Sequence, residues 1–364
     1  MICVVYGTTG ELIKLAPVLT RLRARGHGYV SATTGQQVEQ IPALLRELEL
    51  PEPDFWLGRG SRGRDLRTNG DVPGWLATVL ARFARHGRRL RRELRNGSGK
   101  PLVLVHGDTM TTVLGAAMGR LMRAGAAHIE GGLRTYDWRN PFPEELNRRA
   151  ASVLARIHYA PGSWAASNLR RGIVVDTGSN TIRDSLDLVP ENYKLPVAVP
   201  KGPFGIVSLH RYELLDDGEL LGGTIDLLTE ESRRTPLLFV DHPVTGAALR
   251  KHGLEDAFDD ERFIHIPRLT FFPFIALLRR SSYLFTDSGG SQEECYYLDH
   301  PCLVHRMKTE RREGLGENVV LSHFDFEVAR DFLSDPGRFR RGTELAATSP
   351  SDAIVADLEQ RGFV

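Results

Sequence analysis

Short apolar runs alternate along the chain with longer segments in which apolar residues recur every three or four positions. Ile2–Tyr6 is a run of the first kind, and residues 11–25 form a segment of the second kind, with leucines at 12, 15, 19 and 22. Buried strands of a parallel sheet are continuously apolar, whereas an amphipathic helix has a period of 3.6 residues. The alternation therefore predicts a doubly wound α/β fold.

The first half of the chain repeats this alternation up to residue 181. Strands are predicted at 2–6, 29–34, 102–105, 126–129, 157–161 and 173–175, and helices at 11–25, 41–48, 75–94, 113–122 and from 143 onward. Residues 58–74 are rich in Gly, Arg and Asp and predict a surface loop.

The alternation restarts after a proline-rich segment. Four prolines between 188 and 205 exclude a regular element and predict an interdomain linker. Further strands are predicted at 205–209, 237–240 (followed by Asp241-His242-Pro243), 263–266, 283–286 and 302–304. We therefore predict two Rossmann-like doubly wound domains, 1–187 and 205–345, joined by a linker at 188–204, with a site in the cleft between them. Residues 346–364 are predicted to form a helix that packs back on the N-terminal domain.

Composition and charge narrow the class of protein. The chain has 364 residues, of which 41% are hydrophobic and 26% charged, as expected for well-filled globular cores. The formal net charge of +1 argues against nucleic acid or a membrane surface as the main partner. Three cysteines without metal-ligand spacing fit a reducing cytoplasm. Neither a signal peptide nor a membrane-spanning run is predicted, so we expect a cytoplasmic protein, and no metal site is predicted.

Three acidic residues follow predicted element ends between 101 and 161. Asp108 and Glu130 come directly after strands, and Glu144 lies at a helix start. The carboxyl ends of parallel strands are where open α/β sheets bind ligands. With Arg134 and Arg148 nearby, the three carboxylates predict acid/base chemistry on an anionic substrate. Two structural alternatives stay open: Asp108 could cap the next helix, and Glu144 could only favour a helix dipole.

The first turn of the chain offers a weaker signal. Gly7 to Gly10 joins a strand to a helix, and such a turn could meet an anionic group with its N–H groups. Lys14 lies one turn into that helix, where a solvated surface lysine is the simpler interpretation.

The second half contains a candidate diphosphate cradle. Asp287-Ser288-Gly289-Gly290 follows a strand and leads into a helix that carries Glu294. Glycines let backbone N–H groups approach phosphate oxygens, Ser288 can add a hydroxyl, and a carboxylate such as Glu294 can accept ribose hydroxyls. The alternative is a plain turn before a capped helix. His210, beside Arg211 at another strand end, could contact phosphate or act as acid/base, although a lone histidine is more often structural.

These segments together resemble the non-hydrolysing UDP-N-acetylglucosamine 2-epimerase family, whose two-domain fold is of the GT-B type. The matching segments follow the family's order: Tyr6-Gly7-Thr8 with Glu11 and Ile13-Lys14, His106–Thr109, Glu130–Arg134, Pro143-Glu144-Glu145 with Asn147-Arg148, Gly178 with Asn180-Thr181, His210-Arg211 with Glu213, Asp287–Gly290 with Gln292–Glu294, and Thr309-Glu310-Arg311 with Glu313.

The resemblance implies roles for individual residues. It implies catalytic roles for Asp108, Glu130, Glu144 and His210. It implies substrate or UDP binding by Lys14, Arg148, Ser288, Gly289, Gly290, Glu294, Arg211 and Thr8. It further implies a UDP-sugar substrate, C2 epimerisation through loss and return of UDP, no cofactor, and a homodimer.

The sequence also departs from the family pattern. Where the family usually has Arg-Pro-Glu after Tyr-Gly-Thr, this chain has Thr9-Gly10-Glu11, so a cationic group near the diphosphate is missing. A Gln-His pair after the second strand becomes Gln36-Gln37, and a later Gln becomes Glu39. In bacterial members that region helps bind a second UDP-GlcNAc as activator. The changes suggest a divergent member acting on UDP-GlcNAc or a modified relative.

Other functions stay open on the sequence alone. A hydrolysing relative would release UDP and the free 2-epimeric sugar. A glycosyltransferase would not need the three acids on the first domain. A non-catalytic UDP-sugar-binding protein would bind without turnover, but clustered carboxylates have little purpose without chemistry.

Overall fold

The computed structural model describes residues 1–66, 68–137, 143–254, 263–309, 311–342 and 348–364. The chain divides into two compact units, the first made of residues 1–188 with the chain from 347 onward, and the second of residues 189–346. The predicted boundary at 345, Glu310 of the predicted Thr309–Arg311 segment, and part of the segment before Glu144 lie outside the described residues.

The described strands form two parallel sheets. They are β1 Ile2–Tyr6, β2 Tyr29–Thr33, β3 Phe55–Trp56, β4 Leu102–His106, β5 Gly125–Ile129, β6 Ile157–Ala160, β7 Ile173–Asp176, β8 Gly205–Ser208, β9 Leu237–Asp241, β10 Phe263–Pro267, β11 Tyr283–Thr286, β12 Cys302–Val304 and β13 Val319–Leu321. The first unit holds the order β3-β2-β1-β4-β5-β6-β7, and the second holds β10-β9-β8-β11-β12-β13.

Helices connect these strands. They are α1 Thr9–Ala24, α2 Ile41–Glu47, α3 Val72–Asn96, α4 Met110–Leu121, α5 Glu144–Leu154, α6 Ser163–Ser167, α7 Ile182–Leu186, α8 Tyr212–Leu215, α9 Gly218–Ser232, α10 Pro243–His252, α11 Phe271–Leu278, α12 Gly289–Tyr297, α13 Phe326–Ser334 and α14 Pro350–Gln360. The predicted fold class, α/β with two doubly wound units, is confirmed.

Each sheet has a switch point at which the strand order reverses direction. In the first sheet it lies between β1 and β4, and in the second between β8 and β11. Ligands of open α/β sheets bind outside the carboxyl ends of the strands at this point. The turns that carry the predicted site residues leave the sheets from these strands and their neighbours.

The face by which α4 packs on its sheet differs from the one the apolar pattern indicates. Gly115 and Gly119 lie against the strands, because a Cβ atom at these positions would come within 2.6 Å of Val105 Cγ1 and 3.2 Å of Val103 Cβ. Of the apolar residues that recur at helical spacing in the predicted helix 113–122, Met118 and Met122 are buried, but Leu121 is 72% exposed. Small residues thus set a close helix–sheet approach that hydrophobic periodicity does not show.

The helix α14 belongs to the first unit. Ile354, Val355 and Leu358 of α14 are fully buried, and the helix packs on α1 and α7. In the first turn of α14, Asp352 accepts a hydrogen bond from Arg25 at 2.9 Å. The chain therefore returns to its first unit after completing the second.

Some predicted bounds were wrong. The helix α3 begins at Val72, inside the loop predicted for 58–74, and Pro73 suits its first turn. The strands β3 and β13, of two and three residues, were not predicted. No regular element is assigned to residues 188–204. Among the described helices, none has the length and apolarity that crossing a membrane requires.

Candidate active site

Glu130 lies immediately after β5 in the first unit, with its carboxylate in a buried ion pair. Lys14 Nζ donates to Glu130 Oε2 at 2.8 Å, and His106 Nε2 lies 3.2 Å from the same oxygen. The side chains of Glu130 and Lys14 are only 4% and 12% exposed. The interpretation of Lys14 as a solvated surface lysine is therefore wrong, and the pair places a cation directly on a predicted catalytic acid.

The backbone at Glu130 is also unusual. Its φ is +66°, in the left-handed region that non-glycine residues rarely adopt. Gly132 follows with φ of +92°, where a Cβ atom would lie 2.1 Å from Ala165 O. Such conformations persist where surrounding contacts impose them and are concentrated at functional sites. The turn after β5 is therefore held so that it presents a carboxylate.

Asp108 follows β4, the strand next to β5, and one of its carboxylate oxygens accepts two hydrogen bonds from a buried arginine. Arg148 donates from Nε at 2.9 Å and from Nη2 at 2.7 Å to Asp108 Oδ2. Thr109, not Asp108, caps α4, so the interpretation of Asp108 as a helix cap is wrong. Because His106 pairs with Ile129 across β4 and β5, Asp108 and Glu130 leave the sheet at adjacent points.

Two residues of α5 complete this part of the site. Glu145, fully buried, lies 3.6 Å from Arg148 Nη1 and accepts from Arg149 Nε at 3.1 Å. It also accepts from the N–H of Thr135 at 3.1 Å. Glu144 is the first residue of α5 and is half-buried, so a helix-dipole role stays possible beside its predicted catalytic one. Sequence reasoning missed Glu145, which holds the arginine that pairs with Asp108.

Arg134 does not join these ion pairs. Its guanidinium donates to Leu133 O at 2.7 Å and to Ser152 Oγ at 2.8 Å. These bonds fix the turn after Glu130 and place Arg134 in a structural role.

Glu11 ties two turns of the first sheet together. Its Oε2 accepts from the N–H groups of Gly7 at 2.7 Å and Thr8 at 3.0 Å, and its Oε1 accepts from Thr109 Oγ1 at 2.6 Å. Thr8 caps α1 in a capping box with Glu11. Burial raises the pKa of Glu11 to about 7, against the lowering effect of these hydrogen bonds.

Three N–H groups of the first turn, those of Gly7, Thr8 and Thr9, are consequently already engaged within the protein. The N–H and hydroxyl of Thr9 both donate to Gln37 Oε1 at 2.8 Å, while Glu11 takes the N–H groups of Gly7 and Thr8. Among the described residues nothing accepts from the N–H of Gly10, so anion binding by this turn stays a prediction at that position. Thr9 and Gln37 are both positions where the sequence departs from the family pattern, and they contact each other.

In the second unit, His210 follows β8 and faces a buried carboxylate. Asp287 Oδ2 accepts from the N–H groups of His210 and Arg211, each at 2.8 Å, and Oδ1 lies 3.3 Å from His210 Nδ1. Burial raises the pKa of Asp287. Burial, followed by the charges of nearby arginines, lowers the pKa of His210 to about 4. His210 is therefore a neutral imidazole near pH 7, with a partner that sequence could not identify.

The start of α12 has fewer internal acceptors for its N–H groups than the start of α1. Ser288 caps the helix by accepting from the N–H of Ser291 at 3.4 Å, but in the described part of the chain nothing accepts from the N–H groups of Gly289 and Gly290. A Cβ atom at Gly290 would meet only Ser288 Oγ, at 3.7 Å. The turn thus offers N–H groups and open space, as a phosphate site requires. Glu294 lies within α12 and is half-buried.

Arginines surround this turn. The charges of Arg211, Arg268 and Arg306 act on His210. Arg306 lies 3.4 Å from Glu213, and Arg211 has a buried Nε for which the described residues provide no hydrogen-bond partner. These cations suit an anionic ligand. No three His, Cys, Asp or Glu side chains in the described ranges are placed to hold a metal ion.

Two doubly wound units, one with paired carboxylates and the other with a helix start suited to phosphate, define an α/β enzyme of the GT-B-like class. A family model described as UDP-N-acetylglucosamine 2-epimerase matches residues 28–327. The UDP-N-acetylglucosamine 2-epimerase of Bacillus subtilis is 30% identical over 360 residues, covering 94% of this chain and 89% of that protein. The Campylobacter jejuni enzyme of that name is 30% identical over 342 residues, covering 88% and 84%.

A solved structure agrees with this. The UDP-GlcNAc 2-epimerase of Neisseria meningitidis, bound to UDP-GlcNAc, has a TM-score of 0.80 and 25% identity, with 99% of each chain covered. The chain belongs to the UDP-N-acetylglucosamine 2-epimerase family and is an enzyme of the epimerase class. The roles of the individual site residues stay predictions.

Proposed function

We propose that this enzyme inverts C2 of a UDP-N-acetylhexosamine, UDP-GlcNAc or a modified relative, by removing and re-adding UDP. The observation that carries the proposal is the pair of carboxylates at adjacent strand ends, each in contact with a mostly buried cation: Glu130 with Lys14 and Asp108 with Arg148. The family's relatives are named for this reaction.

The proposed reaction has two balanced steps. A carboxylate takes the C2 proton as the C1–O bond breaks; the bonding pair leaves with UDP, and a C1=C2 double bond remains in the sugar. UDP then adds back to C1 while an acid delivers a proton to C2 from the opposite face. Carboxyl groups on more than one strand end are suited to work on two faces, and we assign these steps to Asp108, Glu130 and Glu144.

The departing diphosphate needs positive charge and hydrogen-bond donors. We assign this task to the N–H groups of Gly289 and Gly290, the hydroxyl of Ser288, and Arg211, with His210 as a neutral contact. Glu294 is assigned to the ribose hydroxyls. We assign substrate binding on the first unit to Lys14, Arg148 and Thr8. In the structure the side chain of Lys14 contacts Glu130, that of Arg148 contacts Asp108, and that of Thr8 contacts Glu11.

The test is incubation of the protein with UDP-GlcNAc in deuterated water. We expect deuterium at C2 and the appearance of UDP-ManNAc, both followed by NMR. Glu130→Gln should lower the exchange rate about 100-fold or more, since a positioned acid/base contributes roughly that much. Glu52→Gln, at an exposed position of the same unit, is the matched control and should exchange like the parent.

Other outcomes assign other functions. Free ManNAc with an equal amount of UDP would identify a hydrolysing relative. Binding of UDP-GlcNAc without exchange, with Glu130→Gln unchanged, would identify a non-catalytic binding protein. A panel of modified UDP-sugars tests whether the departures at Thr9 and Gln37 changed the substrate.

We further propose that the enzyme acts in the cytoplasm as a homodimer joined through α4 and α5. Arg120 of α4 donates to Val153 O of α5 at 2.6 Å, so the ends of these helices are joined. Leu121 and Val153 are 72% and 60% exposed, and Leu146, seven residues before Val153 on the same helix face, is 43% exposed. Exposed apolar side chains on one helix pair favour a protein partner.

Sedimentation velocity tests the dimer. The parent should sediment as a dimer, and Leu121→Glu should sediment as a monomer because a charge cannot be buried unpaired in an interface. Leu315→Glu, at an exposed leucine of the second unit, should leave the dimer intact. A monomeric parent would contradict the proposal.

A further inference from the structure

A second histidine lies against His210. His242 follows β9, which is hydrogen-bonded to β8 in the sheet, and it occupies the position directly before α10 without a capping hydrogen bond from its side chain. Because adjacent parallel strands end at the same edge, the residues after β8 and β9 come together there. The imidazole rings of His210 and His242 lie 4.8 Å apart between centroids, at 33° between planes.

The contacts hold His210 on two sides. His242 covers one face of its ring, and Asp287 lies 3.3 Å from its Nδ1 edge. His242 is itself anchored, since its Nε2 is 3.2 Å from Ser208 Oγ. Pro243 fixes the backbone directly after it as the first residue of α10. The ring of His210 thus has little freedom, and Nε2 is the nitrogen turned away from Asp287.

Burial and the nearby arginines favour the neutral forms of the two rings, whereas the nearby aspartates oppose them. Arg211, Arg268, Arg306 and Asp287 face His210, while His210, Arg268, Asp287 and Asp241 face His242. Burial is the largest cause that lowers the pKa of each imidazole to about 4, and the charge of His210 contributes to the lowering at His242. Because both pKa values lie well below 7, both rings are neutral near pH 7.

We infer that His242 is a positioning residue: its ring, packed against His210, fixes the orientation of that imidazole and shields one side of it from water, so that Nε2 is presented to the substrate. The inference rests on the proposed function, in which His210 contacts the departing diphosphate. His242 acts through His210 and does not itself touch the substrate.

The test compares two substitutions of His242. His242→Ala removes the stacked ring, so kcat for C2 exchange should fall about tenfold or more, as a misplaced catalytic group does, with KM changed less than about threefold. The acid limb of the pH–rate profile should move to higher pH by about one unit or more, because water that reaches His210 stabilises its charged form and so raises its pKa. His242→Phe retains a flat ring and should preserve most of the rate and the profile. His323→Asn, at an exposed histidine, is the control for histidine removal.

A second readout does not depend on turnover. NMR titration of histidine-labelled protein, with His210→Gln to assign the signal, should show the pKa of His210 rising in His242→Ala and nearly unchanged in His242→Phe. An unchanged His210 titration in His242→Ala overturns the inference, as does equal loss of activity in both variants. If the parent shows no C2 exchange, the proposed function is overturned. The NMR titration then still tests whether His242 controls the environment of His210. Circular dichroism verifies that both variants are folded.

Discussion

Glu11 shows how one buried carboxylate can determine local geometry. It is 3% exposed and accepts hydrogen bonds from both the β1–α1 turn and the start of α4. Its role differs from that of Asp108 and Glu130, because no cation pairs with it in the described ion pairs. Hydroxyl and N–H donors compensate only part of the cost of burying its charge.

This residue should make stability depend on pH. Because the pKa of Glu11 rises from 4.5 in the unfolded chain to about 7 in the fold, the fold favours its protonated form. The stabilisation that Glu11 contributes by binding a proton is fully present below its pKa in the unfolded chain, and it is lost as the pH rises through its folded pKa of about 7. Glu11→Gln does not titrate, so between pH 5 and 8.5 its free energy of unfolding should rise relative to the parent by about 2–3 kcal/mol.

Urea unfolding at several pH values measures this difference. The exposed Glu52→Gln substitution is the control, and its difference from the parent should not vary over the same range. A constant difference between Glu11→Gln and the parent would show that Glu11 stays ionised in the fold.

Among the elements, α14 is the one that joins distant parts of the chain. Its buried face packs on α1 and α7 of the first unit, and Tyr159 Oη of β6 donates to its Asp357 at 2.9 Å. Ser349 Oγ and the N–H of Ser351 both donate to the buried Asp184 at the start of this helix. α14 is therefore part of the first unit's core and not an appendage.

A core substitution in α14 should destabilise the first unit selectively. Leu358→Ala removes a fully buried side chain and should cost about 2–5 kcal/mol. The chain's tryptophans, 56, 75, 138 and 164, all precede residue 188, so their fluorescence reports on this unit. The tryptophan transition should move to lower urea in Leu358→Ala.

The controls separate the two units. Gln360→Ala, at an exposed position of α14, should change the transition by less than about 0.5 kcal/mol. Thiol labelling of the buried Cys295 and Cys302 reports on the second unit and should be unaffected by Leu358→Ala. A tryptophan transition that does not move would mean that α14 adds no stability to the first unit.

For the whole molecule, periodicity was sufficient to predict two doubly wound units, because buried parallel strands are continuously apolar. Periodicity did not predict β3 and β13, because strands of two and three residues are too short to show a pattern. It also did not show that α4 packs on its sheet through glycines. These features depend on the approach of neighbouring elements, which a linear pattern does not contain.

The candidate site was predictable to a similar extent. Strand ends located Asp108, Glu130, His210 and the Ser288 turn, since chain order fixes which residues reach the sheet edge. The partners were not predictable: Lys14 and Glu130 are 116 positions apart, and His210 and Asp287 are 77 apart. Pairing at such separations is decided by the strand order of the sheet, which has to be known first.

The return of the chain to its first unit has a consequence for synthesis on the ribosome. Residues 1–188 emerge early, but the surface that α14 covers stays open until residues 189–346 have been translated. At about 5–20 residues per second this interval is roughly 8 to 30 seconds. During that time the nascent first unit exposes the apolar surface that Ile354, Val355 and Leu358 later cover, and transiently exposed apolar surface is what chaperones protect from aggregation.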